Sequence, residues 1–236
     1  MTSIIENLYA RFYITFILDN RWQLFAEGLM MTILLTLSSF VLGTIVGAIV
    51  CLIRFSKYKT LVKVISVING FFVQLPTLVC LMIMVYLIFG NSSLSVIVIV
   101  IIGLSLKSAS YLSDIFYSAI AATNEGEAEA ARALGMSRFQ AFIYITLPQS
   151  VNNSISVYKN QFITTLQETS VVSSLAIQEL TKASSIVTSR TLDAMFGLIC
   201  ISVLYLAIGY AGNAVIGLLG HTKHLGDEVK WFKLEI

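Results

Sequence analysis

Residues 125–149, EGEAEAARALGMSRFQAFIYITLPQ, decide how the rest of the 236-residue chain is organised. They form a polar island in an otherwise oily sequence. Glu127 to Leu134 is rich in Ala, Glu, Arg and Leu, all strong helix formers. Gly135 suits the left-handed conformation that ends such a helix. Ser137 suits the N-cap of a second short helix, Phe139 to Ile145. Pro148 lacks an amide donor and disfavours helix just before it, so the unit is expected to end there. The stretch reads as a helix-turn-helix elbow, acidic at its start and apolar in its second half. The plainer alternative is a solvated loop joining two membrane spans.

The surrounding composition is that of a membrane protein. Hydrophobic residues make up 57% of the chain and charged residues 12%, against about 25% charged in a soluble domain. Mean hydropathy is +0.85. A spanning helix needs about 20 apolar residues, so the chain has room for roughly five. A net charge of +2 gives no basis for nucleic-acid binding. Cys51, Cys80 and Cys200 lie inside apolar runs, without metal-ligand spacing, and read as free packed thiols. No cleavable signal is evident. The first apolar run, Phe12 to Leu18, is short and reads as a helix lying along the interface.

In chain order, five spans are expected at about 24–53, 64–89, 94–122, 151–176 and 193–219. The first would measure ~45 Å against a ~30 Å hydrocarbon core, so it tilts or protrudes. Its Ser39, Gly43 and Gly47 form a small-residue stripe for close helix packing, within the chain or across a dimer seam. Arg54, Lys57, Lys59 and Lys63 follow at once and mark the cytoplasmic side, which puts the N-terminus outside. The uncharged Gly90-Asn91-Ser92-Ser93 loop is then external, and the 125–149 elbow and the C-terminal tail are cytoplasmic. The segment 177–192, with Glu179, Lys182 and Arg190, is expected to be an external connection. No linker or internal repeat divides residues 1–236, which read as one domain.

Several polar groups fall inside these spans. Asn160, Thr164, Gln167 and Glu168 stand at i, i+4, i+7 and i+8 in the fourth span and share a face. Lipid cannot satisfy them, so that face must meet protein or water. Lys107 and Asp114 are two turns apart in the third span. An unpaired charge in hydrocarbon costs about 2.5–3.5 kcal/mol on the insertion scale, so they either pair structurally or line a wet path. Gln74 sits just before Pro76, which would break the second span and free a carbonyl, giving either a site-lining segment or a simple kink. No catalytic site is expected. There is no Gly-x-x-x-x-Gly-Lys-Ser/Thr phosphate loop, and the two histidines, His221 and His224, lie in the mixed-charge tail, where no metal site is expected.

Glu129-Ala130-Ala131, Gly135 after three residues, and Ile145, Leu147 and Pro148 resemble the "EAA" loop of ABC-importer permeases. From about Leu24 to Leu219 the chain is similar to the polar-amino-acid permeases, the inner-membrane subunits of histidine, glutamine, glutamate, arginine and cystine importers. The resemblance implies an all-α membrane fold of five helices per subunit, paired as a homodimer or heterodimer in the bacterial inner membrane. It implies a coupling helix at Glu129, Ala130, Ala131 and Gly135, with Leu147 and Pro148 fixing the exit into span four. The expected partners are an ATPase subunit carrying ATP and Mg, a second permease subunit, an extracytoplasmic solute-binding protein and the bilayer. This chain itself would bind no cofactor. Asn160-Gln161-Phe162-Ile163 and Glu168-Thr169-Ser170 resemble family segments of span four. The chain departs from the family elsewhere. Val73-Gln74-Leu75-Pro76 replaces Arg-Gly-Thr-Pro, and Asn124-Glu125-Gly126-Glu127 replaces Pro-Lys-Gly-Gln. Tyr117 stands where an Arg is common, Ser156 and Val157 where prolines are paired, and Gln167 where a Lys is usual. Candidate pathway residues are Gln74, Lys107, Asn160, Thr164, Gln167 and Glu168. The rival from another class is a stand-alone secondary transporter or channel, whose usual inverted repeats are not visible here.

Overall fold

The computed structural model describes residues 2–219. The tail carrying His221 and His224 lies outside the described residues. The described residues form helices joined by short connections: α1 (Thr2–Phe12), α2 (Trp22–Arg54), α3 (Lys59–Gln74), α4 (Thr77–Met82), α5 (Val96–Ala121), α6 (Glu125–Ala133), α7 (Arg138–Ala141), α8 (Leu147–Glu168), α9 (Leu180–Thr191) and α10 (Met195–Leu219). Wide π turns extend α1 over Tyr13–Ile17 and α4 over Ile83–Ile88, and a third joins α7 to α8 over Phe142–Thr146. A 3₁₀ stretch, Thr169–Leu175, follows α8.

Three of these helices, α2, α5 and α10, are long and apolar enough to cross a membrane. The α3–α4 pair makes a fourth if its bend of 112° is counted within one span. The 22-residue α8 has the length but not the apolarity.

The expected stripe on α2 packs within the chain. Gly43 and Gly47 let α2 lie against α5 so closely that a Cβ on Gly43 would come 2.9 Å from Ser108 Oγ, and one on Gly47 would come 3.0 Å from the Ala109 carbonyl. Small residues on both helices make that approach possible. Phe40, Leu112 and Phe162 then fill the space between α2, α5 and α8. A second core joins Leu35, Leu81, Leu104 and Val172. A third, around Phe25, Leu180, Val187 and Ile201, holds α9 between α2 and α10.

One expectation at a proline holds, and three others need correction. The break expected at Pro76 is present: Leu75 and Pro76 adopt extended backbone between α3 and α4. The elbow does not end at Pro148. The π turn before it widens the helix, so the proline enters at the first turn of α8, where its missing donor is harmless. Span four stops being α-helical at Glu168, and its 3₁₀ extension closes at Ala176 in the left-handed region, φ 61°. The connection expected at 177–192 is largely the helix α9. Its N-cap, Glu179, is fully buried and accepts hydrogen bonds from the Thr181 and Lys182 amides and from the Tyr205 hydroxyl. The apolar run at 12–18 does lie at the end of a short helix. Arg11 of that helix donates two hydrogen bonds to Asp193, at 2.6 and 2.7 Å, fastening α1 to the start of α10.

Candidate functional site: an elbow, a broken helix and a polar face

The elbow is built from local rules. Asn124 caps α6 by accepting from the Gly126 amide, and Glu125 and Glu127 place negative charge at the positive end of the helix. At the other end Gly135 has φ 97°. The Gly135 amide donates to the Arg132 carbonyl and the Met136 amide to the Ala131 carbonyl, the paired bonds of a Schellman cap. Ser137 follows in a capping box with Gln140. The Gln140 amide donates to Ser137 Oγ, and the Ser137 amide to Gln140 Oε1. Both helix ends at the turn are thus satisfied without help from elsewhere, so the elbow holds its angle as a free-standing unit. Gln149 of α8 donates to Glu127 of α6 at 2.5 Å and closes it.

Of the six expected elbow residues, Ala131 is buried under the turn, while Glu129, Ala130, Gly135, Leu147 and Pro148 are exposed. The sequence reading missed the elbow's apolar projections. Leu134 is 86% exposed and Phe139 73%. Neither side chain is covered by the rest of the described residues.

The break between α3 and α4 is held by side chains of both helices flanking the elbow. Pro76 cannot continue α3, so the carbonyls of its last turn lack helix partners. Lys107, 3% exposed on α5, donates to the Leu75 carbonyl at 2.5 Å and reaches the Phe72 carbonyl at 3.5 Å. Tyr111, one turn on, donates to the Val73 carbonyl at 3.1 Å. A cation at a helix C-terminus also opposes the dipole favourably. From the other side Glu168 of α8 accepts from the Thr77 hydroxyl of α4 at 2.8 Å. Glu168 Oε2 is buried with no hydrogen-bond partner among the described residues.

Lys107 and Asp114 therefore do not pair with each other. Asp114 pairs with Arg54 at the end of α2 and accepts from Asn69 of α3 at 3.2 Å. Arg54 also lies over the Tyr117 ring, 4.4 Å from its centroid.

The polar residues of α8 divide between two faces. Gln161, Thr165 and Thr169 are buried, and Thr165 meets Ser108 of α5. Asn160 and Gln167 are exposed, and Thr164 is half-buried beside them. Gln74, at the end of α3, is exposed. The structure thus separates the six pathway candidates into an outer set, with Gln74, Asn160 and Gln167 exposed and Thr164 half-buried, and a gripping set, Lys107 and Glu168.

Residues 39–222 match the model of the family described as "Binding-protein-dependent transport system inner membrane component". This chain belongs to that family. Among curated relatives, the permease resembles the "Probable amino-acid permease protein YxeN" of Bacillus subtilis strain 168. The two are 32% identical over 183 residues, covering 76% of this chain and 82% of that one. It is 30% identical over 205 residues to the "L-cystine transport system permease protein TcyB" of the same organism, covering 86% and 85%. Among solved structures it resembles an amino acid ABC transporter crystallised with histidines. The TM-score is 0.75 at 28% identity, covering 84% of this chain and 93% of that one. The MetNI methionine transporter, at 20% identity and TM-score 0.61, shares the fold. The chain is a transmembrane permease subunit of an ABC importer, a transporter component rather than an enzyme, and a multi-pass protein of the bacterial inner membrane.

Proposed function

We propose that this permease carries a polar amino acid, or a close relative of one, across the inner membrane on the power of a separate ATPase. The whole chain, 1–236, acts as one transmembrane domain. It crosses the bilayer five times, with the bent α3–α4 pair and the polar α8 as the second and fourth spans, the N-terminus outside and the C-terminus cytoplasmic. The cation cluster of Arg54, Lys57, Lys59 and Lys63 supports that orientation. Arg54 pairs with Asp114 near the end of α5 that leads into the elbow, so both lie at one end of the bundle.

Two such subunits, identical or not, face each other around the solute, which an external binding protein delivers. The amides and hydroxyl of Asn160, Thr164, Gln167 and Gln74 form the polar wall, beside the carboxylate of Glu168. A bilayer leaves such groups unsatisfied, so they need a wet path. Lys107, buried and committed to carbonyls, supports the wall from behind. ATP and Mg reside on the ATPase subunit, whose groove receives the elbow, with Leu134 and Phe139 as apolar anchors around Glu129, Ala130 and Gly135. The small Ala130 permits close approach.

The observation that carries this reading is the self-capped elbow set directly between α5 and α8. A turn that keeps its angle transmits a push as rotation of both helices. The test is reconstitution in liposomes with the neighbouring ATPase and binding protein, followed by an amino-acid screen for stimulated ATP hydrolysis and uptake. Stimulation by one polar amino acid is expected. Uptake by this chain without an ATPase would overturn the reading in favour of a stand-alone transporter.

A further inference from the structure

Between α2 and α10 the described residues leave an open groove of about 920 Å³, floored by α8. Its two walls are anchored to different helices. Gly43 and Gly47 bring α2 against α5, and Gly212 brings α10 onto the Phe162 ring of α8. Ile33, Leu37 and Val41 line one side of the groove, and Ala207, Ala211 and Val215 the other. The floor is aromatic: the Phe40 ring centroid lies 4.9 Å from that of Tyr158 and 5.2 Å from that of Phe162. The hydroxyls in the groove are already bonded. Tyr158 and Thr44 bond each other at 3.0 Å, Thr36 donates to the Thr32 carbonyl, and Ser154 donates to the Val151 carbonyl. A polar solute finds no free partner there, and water would gain little by entering.

The groove lies on the far side of α8 from the solute path. Tyr158 and Phe162 each stand two residues from Asn160, about 160° round the helix. The proposed polar wall faces the second subunit, so the groove opens the other way, into the bilayer; the inference rests on that reading. From Leu29 to Thr44 the groove runs roughly 22 Å along α2, against about 15 Å for one leaflet of a ~30 Å core. Glu27, exposed and bonded to Gln178, marks the outer end of that core on α2. A ~30 Å core counted from there ends near Gly47. Lys159, next to the Tyr158 that meets Thr44, therefore stands at the inner mouth of the groove. Its Nζ rests against Gly217 of α10, 2.9 Å from where a Cβ would be. Among the described residues Lys159 has no ion pair and no hydrogen-bond partner. An unpaired cation at the interfacial end of an apolar groove is complementary to a lipid phosphate.

We infer that the groove between α2 and α10 binds an anionic phospholipid of the inner leaflet, with one acyl chain over Phe40, Tyr158 and Phe162 and the phosphate at Lys159. An acyl chain gains no hydrophobic free energy by leaving the bilayer for this groove. Its gain is dispersion contact with walls that stand apart without it, and the headgroup adds the charge pair.

The test uses phosphatidylglycerol and phosphatidylcholine, each carrying a diazirine midway along one acyl chain, in vesicles that hold the permease with its ATPase and binding protein. Irradiation and peptide mapping are expected to place the label on α8 and α10 peptides lining the groove in excess over the exposed apolar face of α3, Val64 to Phe71. Phosphatidylglycerol should label the groove about fivefold more than phosphatidylcholine, the factor that ~1 kcal/mol per cation supplies. Lys159→Gln should remove that preference and keep the groove labelled. Ala207→Phe and Ala211→Phe, both at exposed positions, should each lower groove labelling several-fold with α3 labelling and ATP-driven uptake retained, which shows that the complex is assembled. Groove labelling no denser than that of α3, or unchanged in both phenylalanine variants, refutes the lipid site, and ATP-driven uptake then leaves the proposed function standing. A headgroup preference that survives Lys159→Gln refutes the phosphate contact. A disulfide between two copies carrying Ala211→Cys, with Cys51, Cys80 and Cys200 replaced by alanine, would seat the second subunit in the groove and overturn the placing of the polar wall as well.

Discussion

Replacing Gly135 by alanine and by asparagine separates two explanations of the elbow. Gly135 has φ 97°, and a Cβ added there meets nothing within 4 Å. Alanine therefore creates no clash inside the chain, and its whole cost is conformational. An ordinary L residue held in the left-handed region costs roughly 1–2 kcal/mol, which is about a 5–30-fold shift in the population of the intact turn. The two cap bonds at Ala131 and Arg132 open together when the turn is lost, and α6 is no longer aimed relative to α7. Asparagine is larger but tolerates this region better.

The expected order of apparent affinity for the ATPase subunit, measured by titration in nanodiscs, is therefore glycine, then asparagine, then alanine. Alanine should fall about 5–30-fold below glycine, and excess ATPase should recover uptake. Gly135→Trp adds bulk that faces the partner and should abolish uptake while the protein still inserts. If asparagine is worse than alanine, steric contact rather than backbone angle governs the position. If alanine and glycine bind alike, the turn is not preorganised and the reasoning fails.

Gly43→Leu should wedge α2 off α5, because its first added carbon already meets Ser108 at 2.9 Å and the Ser105 carbonyl at 3.2 Å. A loss of at least about 1–3 kcal/mol, read as earlier unfolding in detergent, is expected; wild-type stability would mean the seam is loose. Asp114→Asn should cost only about 0.2–1 kcal/mol, since the Asp114 side chain is 47% exposed and Arg54 keeps its place over Tyr117. Aggregation of this variant would mean the pair is far more important than its exposure allows. Asp193 supplies the pH prediction. Its hydrogen bonds from Arg11 hold its carboxyl below the usual carboxylate range. A depressed folded value means the stabilisation is present above the unfolded value and disappears as pH falls through the folded one. Asp193→Asn should therefore melt earlier than wild type at neutral pH, with the gap closing in acid; a gap constant with pH would exclude this ion pair as its source.

Much of this architecture was legible in residue order because short-range rules produced it. Gly135 and Ser137 cap their helices from within a few residues, so their roles read directly from spacing; Asn124 obeys the same local rule but only the structure singles it out. The stripe of Ser39, Gly43 and Gly47 announced a close helix contact, although only the structure names α5 as its partner. Pro148 was misread because a proline's effect depends on the turn before it, and the π turn at Phe142–Thr146 removes the clash. Pro76, under the same rule, does break its helix, and nothing local distinguishes the two. The partners of Lys107 and Asp114 were also hidden. Seven residues of separation put both on one side of α5, but Lys107 finds carbonyls of α3 across a gap of 32 residues in sequence, and Asp114 finds Arg54 across 60. Residue order alone places Glu179 in a charged connection, because its hydrogen-bond partner Tyr205 lies 26 residues further on.

The most direct test of the account places a single cysteine at position 134, by Leu134→Cys, and crosslinks it to the assembled ATPase subunit. The account predicts an efficient crosslink from this cytoplasmic turn, and loss of ATP-driven uptake once it forms, because the elbow can no longer move with its motor. Labelling of that cysteine from outside intact cells, or undiminished uptake in the crosslinked complex, would contradict it.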